Sequence, residues 1–226
     1  MKMVKKSTLA AAVIAGCAAI PQAHALLVLD DATGFGLVTE NFDSYFALVT
    51  QGPVTLPSGI EFTADIDSTL GGAFADLGEN GSWGSTKPTG LGDLQPSPVG
   101  TEFVGSLTFK LSSAASMIGA LMNYYVAPGS SGLDGLTIEA LDSAGNVIAG
   151  ESYLVTIDTD GLSQDAGRFV GISRSTADIY GVRLSGDGVV LDDLRVNTIP
   201  EPSTYALMAA GLGLLGFAVR GRSGRR

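Results

Sequence analysis

Cysteine and histidine are almost absent from this sequence of 226 residues, which has one of each. Both of them, Cys17 and His24, lie within the first 25 residues. For the rest of the chain this excludes Cys nucleophiles, Ser-His-Asp triads, histidine general bases and Cys/His zinc sites. It also excludes disulfides, so the stability of the fold must come from a hydrophobic core. Carboxylate chemistry and metal binding by oxygen ligands remain.

Basic residues are scarce in the middle of the chain. Residues 26–199 have six Lys and Arg against 22 Asp and Glu, a formal charge of −16. A surface of this sign repels phosphate backbones, so nucleic acid is not an expected partner. Divalent cations and neutral ligands suit it better. A span of about 170 residues is long enough for one domain with its own core.

The first 25 residues have the pattern of a secretory signal peptide. A basic start, MKMVKK, precedes an apolar run over residues 9–20, and Ala23-His24-Ala25 is a small-x-small cleavage site. We expect signal peptidase to cut after Ala25, which would leave Leu26 as the first mature residue. Two alternatives stay open. Ile14-Ala15-Gly16-Cys17 resembles the lipobox of bacterial lipoproteins, in which Cys17 would be acylated, and a short amphipathic or core helix is the other.

The end of the chain combines a proline-rich junction, an apolar stretch and a basic end. Residues 199–204 read IPEPST, residues 205–219 are uncharged, and Arg220, Arg222, Arg225 and Arg226 follow. As a helix, residues 203–219 would be about 25 Å long, just enough to cross the hydrocarbon core of a bilayer. The positive-inside rule places the arginines in the cytoplasm and the domain outside. These features alone fit a plain anchor as well as a processed tail.

The order of these elements resembles the PEP-CTERM sorting signal, a tail that is also named after an ice-binding protein without implying ice binding here. The resemblance implies recognition of Pro200, Glu201 and Pro202 by exosortase, a membrane peptidase of Gram-negative bacteria that make exopolysaccharide. The helix and the four arginines would retain the precursor in the inner membrane. Cleavage would then pass the protein to the outer surface or the extracellular matrix.

Between the two ends, the chain reads as short strands separated by turn residues, and no segment predicts a helix. Runs rich in β-branched and aromatic residues predict strands over 103–111, 117–126, 136–141, 153–157, 168–172, 179–184 and 189–196, with weaker ones over 37–39, 54–56 and 60–63. Alternation over 136–140 and the turn residues 142–146 predict a hairpin. We expect an all-β, two-sheet, jelly-roll-like sandwich over residues 26–198, between a signal peptide (1–25) and a tail (199–226).

The second half of this body also resembles the jelly-roll sandwiches of carbohydrate-binding and lectin-like modules. The resemblance rests on residues 136–146, 169–172, 179–184 and 190–196. It implies a fold more than a ligand, because one sandwich can host many functions.

Three features of the body are candidates for chemistry. Strict alternation in the last strand places Asp192 on the apolar face, where a structural Ca²⁺ would satisfy its carboxylate. In similar jelly rolls a last-strand Asp pairs with an acidic turn near the N-terminus, so the resemblance implies Glu40 and Asp43 as further ligands. A bulge that turns Asp192 to solvent is the alternative. The chain's single Trp, Trp83, lies in a Gly-rich segment, residues 71–100. An exposed indole there would stack on a sugar ring, whereas a Trp packed against a sheet would not. Asp158-Thr159-Asp160-Gly161 reads as a turn, since it lacks the further ligands of an EF-hand.

We therefore expect a non-catalytic, polysaccharide-associated binding module. Two other classes stay open. A polysaccharide-active hydrolase would need two carboxylates about 5 to 10 Å apart, which a sequence cannot show. A structural spacer would have no ligand.

Overall fold

The computed structural model describes residues 25–71, 74–84, 91–92, 104–129, 135–198 and residue 212. Apart from residue 212, which is helical, the regular structure of these residues is β, in 16 strands whose ladders are all antiparallel. Residues 1–24 of the predicted signal peptide lie outside the described residues. So does the predicted membrane helix, apart from Leu212.

The larger sheet has eight strands. Its order is β1 (Ala25–Leu29), β14 (Arg168–Arg174), β11 (Met117–Asn123), β16 (Val190–Asn197), β9 (Leu91–Gly92), β6 (Ser68–Leu70) and β3 (Leu48–Thr50). β2 (Val38–Glu40) pairs with β16 beside β9, on the same edge. The last strand therefore lies inside the sheet, with partners on both sides.

The second sheet has six strands in the order β13 (Val147–Val155), β12 (Leu136–Leu141), β15 (Ile179–Asp187), β10 (Val104–Ala115), β5 (Glu61–Ala64) and β4 (Val54–Thr55). A small hairpin, β7 (Ala75–Asp76) and β8 (Ser82–Trp83), is separate from both sheets.

The core lies between the two large sheets. It combines alternate residues of both, such as Leu107 and Phe109 of β10 with Ile118 of β11 and Val170 of β14, all of them fully buried. Phe109 also contacts Phe42 and Phe62, at ring-centroid distances of 6.0 and 5.5 Å. One core shared by two sheets makes the body a sandwich, which confirms the prediction of an all-β, two-sheet fold.

Most predicted strands are confirmed, with ends that move by a few residues. The predicted hairpin is β12 and β13, and its turn is closed by a hydrogen bond from the N–H of Asp142 to the carbonyl of Asn146 (2.8 Å). The very short strands β3, β6, β7, β8 and β9 were not predicted, nor was β1. Short strands have too few residues to show an alternating pattern.

Both ends of the described body lie at the same end of the sandwich. Ala25 is opposite Arg174, Ser173 is opposite Met117, and Met117 is opposite Asn197. Three strand spacings of about 4.8 Å therefore separate the first strand residue from the last, about 14 Å. We call this end of the sandwich the chain-end face, and the opposite end the far end.

No helix among the described residues is long and apolar enough to span a membrane.

Candidate functional site

The outer face of the six-stranded sheet bears two rows of polar side chains, which we call the polar face. Residues directly opposite each other in an antiparallel ladder share a face, so the register defines both rows. The first consists of Thr63, Thr108, Arg183, Glu139 and Ser152. The second consists of Ser106, Ser185 and Thr137, and ends at Leu154, which is 65% exposed. The intervening residues of each strand point into the core.

A shallow depression of about 280 Å³ lies on this face, between Asp65, Ser106, Glu139, Arg183 and Ser185. Arg183 donates from Nε to Oε2 of Glu139 (2.7 Å), and the hydroxyl of Ser152 donates to Oε1 (3.1 Å). On the other side of the depression, the N–H of Ser106 donates to Asp65 (2.6 Å). The charged groups are thus held in place by their neighbours on adjacent strands.

This arrangement offers donors and acceptors across five neighbouring strands. The hydroxyls can donate and accept, the guanidinium keeps N–H groups that Glu139 does not use, and Leu154 adds an apolar edge. No aromatic side chain occurs in either row, so a ligand here would be held by hydrogen bonds and not by ring stacking. Such a surface suits a hydroxyl-rich, neutral ligand.

Sequence reasoning did not single out Glu139 and Arg183. The signal was present, because Glu139 occupies an outward position in the alternating run 136–140 and Arg183 lies within a predicted strand. The sequence does not reveal that β12 and β15 are neighbouring strands, because Glu139 and Arg183 are 44 residues apart in the chain.

The expectation of an exposed Trp83 is wrong. Its side chain is 1% exposed and packs in a second hydrophobic cluster with Ala75, Leu77 and Val190, against Leu121. This cluster covers the outer face of the eight-stranded sheet, since the neighbours Ala120, Met122 and Leu191 point into the main core. Trp83 is therefore the packed Trp of the alternative interpretation, and its ring is not available to a sugar.

A buried amide network holds the same β7–β8 segment in place. The side chain of Asn80, 3% exposed, donates to Oδ1 of Asn123 (3.0 Å) and to the carbonyls of Tyr124 (3.1 Å) and Ile157 (3.0 Å). Asn123 in turn donates to the carbonyl of Ala166 (2.9 Å). Part of the Gly-rich segment is thus built into the far end of the sandwich.

The structure does not bring the three predicted calcium ligands together. Glu40 is opposite Leu194, a core residue, so its carboxylate lies on the inner side of the eight-stranded sheet. There it accepts the N–H groups of Phe42 (3.0 Å) and Ser58 (3.3 Å) and ties the two sheets together. Asp43 is exposed and bonds to Asn41.

Asp192 lies on the other side of that sheet. In the ladder between β16 and β11, Asp192 is opposite Leu121 and Arg195 is opposite Gly119. Three residue steps along β16 therefore match two steps along β11, so β16 has one extra residue and forms a bulge. Asp193 has a φ of 54°, and its N–H donates to the Asp192 carboxylate (2.7 Å). The bulge breaks the strict alternation, so Asp192 faces away from the core, as the alternative interpretation with a bulge proposed. Asp192 is nevertheless not turned to solvent, because it is only 7% exposed. Among the described residues no group of three or more His, Cys, Asp or Glu side chains could hold a metal ion.

A turn does occur near the predicted residues 158–161, but it lies two residues later, at 160–163. Asp160 accepts the N–H of Leu162 on its side chain (3.0 Å) and the N–H of Ser163 on its carbonyl (2.7 Å).

The remaining sequence feature is the tail, which begins where β16 ends. Residues 198–225 match the family described as the PEP-CTERM protein-sorting motif. The chain carries a PEP-CTERM sorting motif. It is accordingly an exported protein that exosortase sorts to the cell envelope. The motif starts one residue after Asn197, so no spacer separates the sandwich from the sorting signal.

Comparison of the chain with curated proteins and with solved structures finds no match.

Proposed function

We propose that the body of this PEP-CTERM protein is a non-catalytic module that associates with polysaccharide at the outer cell surface or in the matrix. The observation that carries the proposal is the polar face, two rows of hydrogen-bonding side chains across neighbouring strands of one sheet. Sugar hydroxyls are both donors and acceptors, and hydrogen bonds to charged groups are the stronger ones. Arg183 and Glu139 would contribute those.

The charge of the body favours a neutral polysaccharide. Residues 26–199 have a formal charge of −16, which would repel an anionic polymer at low ionic strength. Arg183 does not offset this, because Glu139 already pairs with it. A single polar face would bind the polysaccharide weakly. The overall affinity would rise if several copies of the protein bound along one polymer chain.

A non-catalytic role fits the two carboxylates of the depression. Both oxygens of Glu139 accept hydrogen bonds from the protein, and Asp65 accepts one from the backbone of Ser106. A glycosidase needs one carboxyl group free to donate a proton and another free to attack or to activate water. Glu139 is engaged in structure instead.

Maturation would proceed at both ends. Signal peptidase would remove residues 1–25, the apolar stretch 205–219 would stop in the inner membrane, and Arg220 to Arg226 would hold its end in the cytoplasm. Exosortase would then cut near Pro200-Glu201-Pro202 and release the body to the outer surface.

The test uses the full chain, expressed in an exporting host and purified in detergent. Binding to a glycan array and to insoluble neutral polysaccharides is measured for the wild type and for Arg183→Gln. The matched control is Arg168→Gln, because Arg168 also pairs with a carboxylate, Asp30, and is similarly exposed, but lies on the eight-stranded sheet. We expect loss of binding for Arg183→Gln alone.

A reducing-sugar assay on the same samples separates the alternatives. Release of sugar would support a hydrolase, and equal binding by all three proteins would place the site elsewhere. Absence of both binding and release would support a spacer without a ligand.

A further inference from the structure

The last strand is fixed to the sandwich up to the residue before the sorting motif. The carbonyl of Asn197 accepts from the N–H (3.0 Å) and the hydroxyl (3.3 Å) of Ser116, and its side chain donates to the carbonyl of Gly34 (2.7 Å). One residue earlier, the N–H of Val196 donates to Thr39 (3.1 Å). Since β16 is an inner strand, pulling it out would break pairing with β11 and with β2. The chain therefore leaves the fold at Thr198.

Only Thr198 and Ile199 lie between this fixed point and Pro200. Three extended residue steps span at most about 10 Å. That is about the distance between two packed sheets. A peptidase that holds Pro200-Glu201-Pro202 in its cleft must therefore lie against the sandwich.

The surface around the exit of the tail has the character of a contact surface. A small opening of about 160 Å³ between the sheets is lined at its rim by Thr39, Ser58, Ser112 and Ser113, with Thr198 beside them. These four residues are exposed, and none of the described residues that line the opening is charged. Leu37, 88% exposed, precedes β2 at the same end. We call Leu37 and these four residues the tail-exit surface.

The far end of the sandwich is rich in acidic residues. The far-end loops contain Asp65, Asp67, Asp76, Glu79, Asp158, Asp160, Asp165 and Asp187. No Lys or Arg occurs in residues 65–67, 74–82, 124–129, 156–167 or 187–189. A membrane surface with anionic lipids repels negative charge, so the acidic far end is disfavoured next to it, whereas the five residues of the tail-exit surface are uncharged.

We propose that the tail-exit surface is the docking surface for the membrane peptidase that cleaves the tail. The peptidase then contacts the folded body as well as the Pro-Glu-Pro motif. This inference rests on the proposed processing by exosortase and adds a second recognition element to it.

The test measures the rate of tail cleavage of the full chain, by pulse-chase and immunoblot, in a host that has exosortase. Ser113→Arg and, separately, Ser58→Arg add a long cationic side chain to the tail-exit surface. Gln164→Arg adds the same side chain to an exposed far-end position and serves as the control. We expect at least a fivefold slower cleavage for the first two variants and a wild-type rate for the third.

A linker distinguishes contact from misfolding. Ten Gly and Ser residues inserted after Thr198 would give a reach of about 17 Å, so the peptidase could act without touching the sandwich. The linker should restore Ser113→Arg to within twofold of the wild-type rate. Wild-type cleavage of both surface variants would overturn the docking surface, as would a defect that the linker does not relieve. If the wild type itself is never cleaved, the proposed processing fails, and this inference with it.

Discussion

At the scale of single residues, Trp83 shows what composition alone leaves open. A Gly-rich segment with one indole and several carboxylates fitted an exposed sugar platform and a packed Trp equally, and the indole is buried against the outside of a sheet. Burial of so large an apolar surface stabilises the fold, and removing it leaves a cavity.

We predict that Trp83→Ala lowers the free energy of unfolding by about 3 to 5 kcal/mol. Trp83→Phe should cost clearly less, because it keeps a ring and because the indole Nε1 has no hydrogen-bond partner among the described residues. Urea unfolding of the full chain measures both. Since Trp83 is the only Trp, its fluorescence should be that of a buried indole and should not respond to sugars. An emission shift on sugar binding would contradict this placement.

A buried ion pair at the chain-end face is a second residue-scale feature. Glu151 and Arg174 are paired, with side chains only 4% and 6% exposed. Tyr153 donates to the same carboxylate (2.9 Å). In the chain before the proposed cleavage, the N–H of Ala25 does so too (3.1 Å). Arg174 also pairs with Asp178, which is part-exposed.

We predict that Glu151→Gln destabilises the fold by up to about 3 kcal/mol, because it leaves Arg174 with the part-exposed Asp178 as its remaining anionic partner. Asp30→Asn removes one partner of an exposed pair and should change the stability far less. Thermal unfolding of the two variants provides the comparison. Similar small shifts for both would mean that water reaches the Glu151 pair.

At the scale of elements, the turn of the β12–β13 hairpin was predictable because its chemistry is local. The Asp142 carboxylate accepts the N–H groups of Asn146 (2.9 Å) and Ala144 (2.8 Å), and these hydrogen bonds, that of Asn146 first, lower the pKa of Asp142. A group whose pKa is lowered by folding stabilises the fold above its unfolded value, near pH 4, and loses this effect as the pH falls through the folded value.

We therefore predict that Asp142→Ala lowers the melting temperature slightly at pH 7, and that the difference shrinks toward pH 3. Asp142→Asn keeps an oxygen that accepts hydrogen bonds but does not ionise. The melting temperature of this variant should therefore depend less on pH between pH 3 and pH 7. Melting curves of the three proteins between pH 3 and pH 7 measure both effects. A gap between Asp142→Ala and wild type that is constant with pH would show that the carboxylate does not act through its charge.

The bulge in β16 was not predictable in the same way. Its extra residue becomes visible only when Asp192 and Arg195 are matched to Leu121 and Gly119 of β11. Strict alternation along one strand assumes that its partner has the same number of residues. The predicted calcium site depended on that assumption.

Since Glu40 and Asp192 lie on opposite sides of the sheet, we predict no calcium-dependent stability that involves both. Asp192→Ala and Glu40→Gln should therefore leave unchanged any difference between the melting curves of the full chain in EDTA and in millimolar calcium, because only an ion bound by the folded state would shift them. A higher melting temperature in calcium that both Asp192→Ala and Glu40→Gln abolish would restore the shared site.

At the scale of the whole molecule, the sequence predicts the arrangement of the parts better than the site. Strand alternation identified the two-sheet sandwich, and the tail was recognisable because its motif, apolar stretch and arginines are contiguous in the sequence. The polar face and the tail-exit surface are assembled from distant strands, so only the topology reveals them. The topology also shows that Ala25 and Asn197 lie at one end of the sandwich, about 14 Å apart.

The last prediction concerns Glu201. A short apolar helix with one basic end inserts in a single orientation and presents the proline-stiffened segment at the outer interface. If exosortase reads this segment, Glu201→Ala should block cleavage while export continues, and a full-length, membrane-bound precursor should accumulate. Deleting residues 220–226 should instead loosen retention in the membrane. Immunoblots of membrane, surface and medium fractions, from a host with exosortase and one without it, measure both. If wild type and Glu201→Ala remain equally full-length in the membranes of both hosts, the tail is only an anchor.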